Sequence, residues 1–338
     1  MSRSHATRFL VILVILTAAA LLLPFAANRG LVFLAGVIAI NVVLGLAFNL
    51  LFSTAGLLSF GQATFSASGA YAAALLLLRA PEVPFLAVLV IAAATGAAIA
   101  FAIGFVALRR TEGVYFAVLT LAFAELVHVI IAKTSFFGRN DGLTGIQRPR
   151  IGPLDLAQGN AYYVFVILVT ALLIAVLWWV THSRLGRSFR AVRLDPMRAA
   201  FLGIDVRRRQ LEAFAISGAC AATAGALMGP LTSIVSPDLA HWGESTKPIL
   251  FTLLGGAGHF WGPLVGAIVF SAVEYGTRSL AGASDLITGG LLLAVVLAIP
   301  GGLLGLATLG VRRLQARPAA PSEAALPLAP AASKGETL

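Results

Sequence analysis

Glu125 and His128 stand three residues apart, on one face of any helix that carries both. A Glu and a His at that spacing form half of a di-metal carboxylate site. The chain has no second pair of this kind, so the spacing reads as a hydrogen-bonded structural group or a polar lining ahead of a metal centre. Glu212 and Glu274 are the other acids within or beside apolar runs. A charge there costs roughly 2.5–3.5 kcal/mol at mid-span. Glu212 borders an arginine-rich interval, and Glu274 makes an i, i+4 pair with Arg278. His241 and His259 are isolated, and the single Cys220 in an apolar run reads as a small buried hydrophobe. Asn49 and Gln62 are neutral polar residues at membrane depth, suited to interhelical hydrogen bonds or to lining a path. There is no H-E-x-x-H, no G-x-S-x-G and no Walker A loop, so no catalytic residue and no metal ligand is assigned.

The interval Thr181–Gln210 is the long polar stretch between two apolar runs. It carries Arg184, Arg187, Arg190, Arg193, Arg198, Arg207, Arg208 and Arg209 against Asp195 and Asp205. A short helix has both ends written into it. Asp195 is a good N-cap, Pro196 suits the first helical position, and Gly203 can take the left-handed conformation that stops the helix. Met197 to Leu202 would form its body. A two-turn helix on a cationic loop is a docking element.

The elements around these residues are membrane spans. Of 338 residues, 59% are hydrophobic and 11% charged, whereas soluble domains carry about 25% charged residues. Continuous apolar runs predict an all-α, polytopic transmembrane bundle of about 8–10 membrane segments, with broken helices. They do not alternate as an outer-membrane barrel would. The net charge of +10 belongs to loops, as the positive-inside rule requires, and not to nucleic-acid binding. Expected spans are 9–27, 31–52, 56–78, 85–108, 114–132 and 161–180, then 211–228, 248–275 and 286–299. The first, within a segment 1–30, is read as an uncleaved span, with a cleaved signal ending near Ala26-Ala27 as the alternative. Residues 31–306 form the transmembrane domain, and 307–338, rich in Pro and Ala, a disordered cytoplasmic tail.

Charge places the N-terminus, the Thr181–Gln210 interval and the C-terminus in the cytoplasm. Parity then requires 248–275 to start and end outside. Its Gly255, Gly256, Gly258, Gly262 and Pro263 would let two segments turn back at Gly255–Gly258, away from the cytoplasmic face. The stretch 56–78 is also interrupted, by Gly56, Ser59, Gly61, Gln62, Thr64, Ser66, Ser68 and Gly69. Such backbone is tolerated only inside protein or along a wet path. Paired broken helices point to an internal repeat with the path at its interface. No intramembrane relay of acids and bases supplies energy, which favours a permease driven by a separate ATPase over a secondary transporter or an intramembrane enzyme.

Five stretches resemble the permeases of branched-chain amino-acid ABC importers of the LivM type. They are Gly56–Tyr71, Arg110–Glu125, Asp141–Ile146, the run Ser183–Arg187 with Arg190–Arg193 and Ala199–Ile204, and Leu254–Gly258 with Gly262-Pro263, closing on Pro300–Gly302. The resemblance implies a type II-importer-like fold and a complex of a LivH-type sister permease, two cytoplasmic ATPases and an external solute-binding protein. ATP and magnesium would sit on the partners, with no cofactor on this chain, in a bacterial inner membrane. It implies that Arg193, Asp195, Pro196, Met197, Arg198, Ala199, Ala200, Leu202 and Gly203 couple to the ATPase. Asn49, Gln62, Ser66, Gly69, Tyr71, Tyr115, Thr120 and Glu125 are the expected path residues. The family commonly has an acid where Pro196 stands, and Thr-Gly-Gly near Gly138. A permease for urea or short amides shares the architecture.

Overall fold

The computed structural model describes residues 3–111, 113–151, 154–277, 289–290 and 301–305. The last expected span, Arg278 and the tail lie outside them. The chain is helical, and six described helices are long and apolar enough to cross a membrane. The first six elements are α1 (Arg3–Ala26), α2 (Arg29–Asn49), α3 (Gln62–Arg79), α4 (Phe85–Arg110), α5 (Val114–Lys133) and α6 (Ala161–His182). They match the six expected spans in order. After them come α7 (Arg184–Leu194), α8 (Pro196–Phe201), α9 (Val206–Thr232), α10 (Trp242–Gly255) and α11 (Gly262–Thr277).

Helix α9 is the axis, packed along α2, α3 and α4. Small residues let backbones touch. A Cβ at Gly69 would stand 1.9 Å from the Ala222 carbonyl oxygen, and one at Gly225 1.9 Å from that of Ser66. Without a hydrophobic drive between helices in lipid, such close crossings supply the association through van der Waals contact.

Three boundaries differ from expectation, each for a local reason. The Arg-rich interval is mostly helical: Ser183 Oγ accepts from Gly186 N–H at 3.3 Å and starts α7, which buries Gly186, Phe189 and Val192. Helix α9 starts at Val206, five residues before the expected 211, because Asp205 caps it by accepting from Arg208 N–H at 3.0 Å. The arginines ride on its first turns, where hydropathy alone sees a loop. Helix α10 starts at Trp242, with His241 Nδ1 accepting from Gly243 N–H, so Pro248 lies inside the helix.

The broken segments are found, with one correction. Leu50–Ala55 continues α2 as a π-helical turn, and Gly56, at φ 75°, ends it. Residues 56–61 are non-helical, so α3 begins at Gln62. In the later segment α10 and α11 pack as a hairpin. Its turn does not stay away from the Arg-rich end. Ala257, Gly258 and His259 share a cavity of about 200 Å³ with Thr181, His182 and Arg190. Helix α10 starts beside the start of α3, where Ser245 meets Ala63, and its 14 residues carry it about 21 Å toward that end. At the opposite end, β1 (Leu143–Thr144) pairs antiparallel with β4 (Ile234–Val235), and β2 (Arg150–Ile151) with β3 (Leu154–Asp155).

Candidate functional site

Two helix N-termini meet inside the bundle, those of α3 and α10. Neither carries an acidic or hydroxyl N-cap of its own, since α3 starts after Gly61 and α10 after His241. The missing partners come from other elements. Ser245 Oγ accepts from Ala63 N–H at 3.0 Å, and Thr120 Oγ1 accepts from Phe60 N–H at 3.1 Å. Glu125 Oε1 accepts from Trp242 N–H at 3.1 Å. Ser59 Oγ takes Gly61 N–H at 3.1 Å. An unpaired amide in hydrocarbon costs several kcal/mol, so these hydroxyls and the carboxylate permit irregular backbone at this depth.

His128 Nδ1 lies 3.0 Å from the Pro237 carbonyl oxygen, and its ring meets that of His241 at 5.5 Å. The Glu125/His128 face therefore grips the segment 237–242. Glu212 pairs with Arg208 and Arg209 at 3.1 and 2.7 Å.

Beside the junction is a cavity of about 40 Å³, lined by Asn41, Gln62, Ser66, Gly225, Glu244 and Pro248 among others. It has room for a water or two and not for an amino acid. Gln62 is fully buried. Its Nε2 donates to Ser217 Oγ at 2.9 Å, while Oε1 has no partner among the described residues. Glu244 pairs with Lys247 at 2.7 Å.

Of the expected path residues, Gln62 and Ser66 line this cavity. Thr120 and Glu125 hold the broken backbone beside it. Asn49 lies toward the Arg-rich end, 2.6 Å from Ser53 Oγ. Gly69 is sealed in the α3/α9 crossing. Tyr71 packs edge-on against Phe137 in a separate apolar cluster. Tyr115 is 77% exposed at the start of α5.

The short helix α8 is built as its ends suggested. Asp195 Oδ1 accepts from Arg198 N–H at 3.0 Å, Pro196 is the first residue of α8, and Gly203 takes φ 79°. Asp195 also pairs with the Arg198 guanidinium at 2.8 Å. Met197 and Phe201 of α8, together with Leu194 at the end of α7 and the C-cap Leu202, are exposed to solvent at 69–86%. These large apolar side chains are grouped on a cationic surface, the kind of exposed patch that meets a protein or a membrane. Ala200 is exposed, whereas Ala199 is buried and faces the protein.

Arg193 also turns inward. It packs against Gly56, where a Cβ would stand 2.9 Å from Arg193 Cγ, and Nη1 donates to the Ser53 carbonyl. Ser53 lies in the π turn, where a widened turn displaces carbonyls from the regular ladder. Its hydroxyl reaches both Asn49 Oδ1 and the Ala257 carbonyl. One hydroxyl donates a single proton, so the Asn49 amide oriented with nitrogen toward Ser53 satisfies all three groups. The chain Arg193–Ser53–Ala257 thus joins the end of α7, next to α8, to both broken segments. Gly255 and Gly262 close the hairpin, since a Cβ at Gly255 would meet the Gly262 carbonyl oxygen at 1.7 Å. Gly256 takes φ 107°, and Pro263 is buried against Gly45.

Sequence reasoning missed Ser53, Ser217, Ser245, Leu194 and Phe201. Serines in apolar runs, for Ser53 and Ser217, and large apolar residues inside an arginine-rich loop, for Leu194 and Phe201, are signals that would have found four of them, whereas Ser245 lies in a polar stretch without one.

A family described as branched-chain amino acid transport system / permease component matches residues 30–299. The chain is 32% identical over 320 residues to the high-affinity branched-chain amino acid transport system permease protein LivM of Escherichia coli K12, covering 88% of this chain and 74% of that protein. Identity to LivM of Salmonella typhimurium is 31% over 305 residues, covering 83% and 71%. The S. typhimurium permease LivH is 29% identical over 144 residues, covering 42% of this chain and 46% of LivH. No solved structure matches the chain. A bundle of six long apolar helices, with broken helices at its centre, accords with a match that spans most of the described residues, and the chain belongs to the branched-chain amino acid transport permease family.

Proposed function

We propose that this chain is a transmembrane permease subunit of an ATP-driven importer for branched-chain or related hydrophobic amino acids. It pairs with a LivH-type sister permease, two cytoplasmic ATPases and an external solute-binding protein. The observation that carries this reading is the capped short helix α8 with its flanks, where Leu194, Met197, Phe201 and Leu202 face outward while Arg193 fastens the base to the bundle. The Arg-rich end and both chain termini face the cytoplasm, in accord with the distribution of arginines.

The chain performs no bond chemistry. Closure of the ATPases pushes α8, and the Arg193–Ser53–Ala257 contacts carry the displacement to the π turn and to the α10/α11 hairpin. The N-termini of α3 and α10 respond, because both are held by cross-element hydrogen bonds that break and re-form without unfolding a helix. The cavity beside Gln62 is too small for solute in this conformation, so passage requires re-packing or a path shared with the sister permease.

The test is deletion of Met197–Leu202 in the whole transporter. Expected are normal membrane insertion, loss of ATPase co-purification and loss of leucine uptake. Normal uptake by that deletion would end the coupling assignment.

A further inference from the structure

We infer that the crevice behind α1 is a binding site for one anionic phospholipid, in the leaflet opposite the Arg-rich end. Two cavities lie end to end there. The first, about 410 Å³, is apolar and runs between α1, α2, α6 and α11, with Leu16, Ala39, Val42, Ala171 and Leu264 among its walls. The second, about 550 Å³, continues it toward the helix ends and is lined by Arg29, Arg148, Gly159 and Asn160 among others. Tyr163 is the common wall, and its hydroxyl donates to the Ala20 carbonyl at 2.9 Å, pinning α1 at the junction.

The two parts run in register along three helices. On α1 the apolar part covers Leu13–Leu23 and the polar part starts at Pro24. On α2 the polar part holds Arg29, Val32 and Phe33 and the apolar part runs from Ala35 to Val42. On α6 the order is Asn160, then Tyr163, then Ile167 to Ile174. Arg29 to Val42 spans about 20 Å of helix, comparable to a lipid leaflet with its headgroup.

The chemistry selects the occupant. An apolar void open sideways to hydrocarbon does not hold water, and an acyl chain fills it. At the polar mouth, neither Arg29 nor Arg148 makes an ion pair among the described residues, and Arg148 lies over the Tyr162 ring at 5.8 Å. Two guanidiniums lining one cavity suit a phosphate bearing net negative charge. Helix α1 has few other attachments, with its apolar window only 6% buried in protein. A lipid wedged behind it completes the packing on that side.

The intact transporter, reconstituted with mixed phosphatidylglycerol and phosphatidylethanolamine and then stripped in mild detergent, is read by native mass spectrometry. Wild type should retain phosphatidylglycerol selectively. The double variant Arg29→Gln/Arg148→Gln should lose that selectivity, with each arginine accounting for about fivefold. Arg29→Lys/Arg148→Lys should keep it. Ala39→Phe with Ala171→Phe, which fills the apolar part, should release both lipids. Equal retention of the two lipids by wild type would mean an adventitious annular lipid only and overturn the inference. So would unchanged selectivity in the double glutamine variant.

Discussion

Helix α8 and helix α3 both begin where the backbone has amides to satisfy, and they do so in opposite ways. At α8 the cap is Asp195, adjacent in sequence, in water, with its carboxylate also held by Arg198. At α3 the partners are Ser245, 182 residues from Ala63, and Thr120, 60 residues from Phe60. In water an imperfect helix start costs little, because solvent completes it, so a local cap suffices. Inside the membrane nothing but protein completes it, so the junction ties distant segments together. The difference suits the proposed roles. In that proposal the exposed helix moves as a unit, and the buried junction makes displacement of one broken segment felt by the other.

Substitutions test this contrast. The largest effect is expected from Gly225→Val, whose first side-chain carbon would stand 1.9 Å from the Ser66 carbonyl oxygen. The α3/α9 crossing would have to open, at a cost at or above the usual overpacking range of about 1–3 kcal/mol. Yield and melting temperature of the purified chain should both fall; a wild-type melt would show that the crossing is not tight. Next comes Ser245→Ala. It leaves Ala63 N–H without its partner and should destabilise the bundle by about 1–3 kcal/mol. Transport should suffer along with the melting temperature. If stability held while Ala63 exchanged its amide no faster, the cross-element cap would carry no weight. The smallest stability change belongs to Asp195→Ala, about 1 kcal/mol confined to α8. The bundle should melt as wild type, while ATPase co-purification and uptake weaken. A lowered melting temperature there would erase the contrast between the two helix starts.

The same contrast explains what was legible in the sequence. Asp195, Pro196 and Gly203 are neighbours whose roles are fixed by local backbone geometry, and the structure places each as expected. The order of the six spans before the Arg-rich interval was legible too, because twenty-residue apolar runs have few alternatives in a bilayer. Ser245 was invisible, since nothing near it in the chain announces that it closes another helix. Glu125 was noticed for its spacing to His128, yet the partners of the two, Trp242 for Glu125 and Pro237 for His128, sit in a segment no pattern linked to them. The π turn at Leu50–Ala55 left no hydropathy trace, because all but two of its residues are apolar.

By itself the sequence determined the membrane environment, the helical class, the positions of the breaks and the short helix on the basic surface. These follow from transfer free energies and from backbone preferences acting over a few residues. Only the tertiary structure decided how deep the breaks lie, that the α10/α11 turn sits beside Arg190, and that Arg193 connects the surface to Ser53. Those outcomes depend on which distant hydroxyl or carbonyl arrives at an unsatisfied group, and packing chooses that partner.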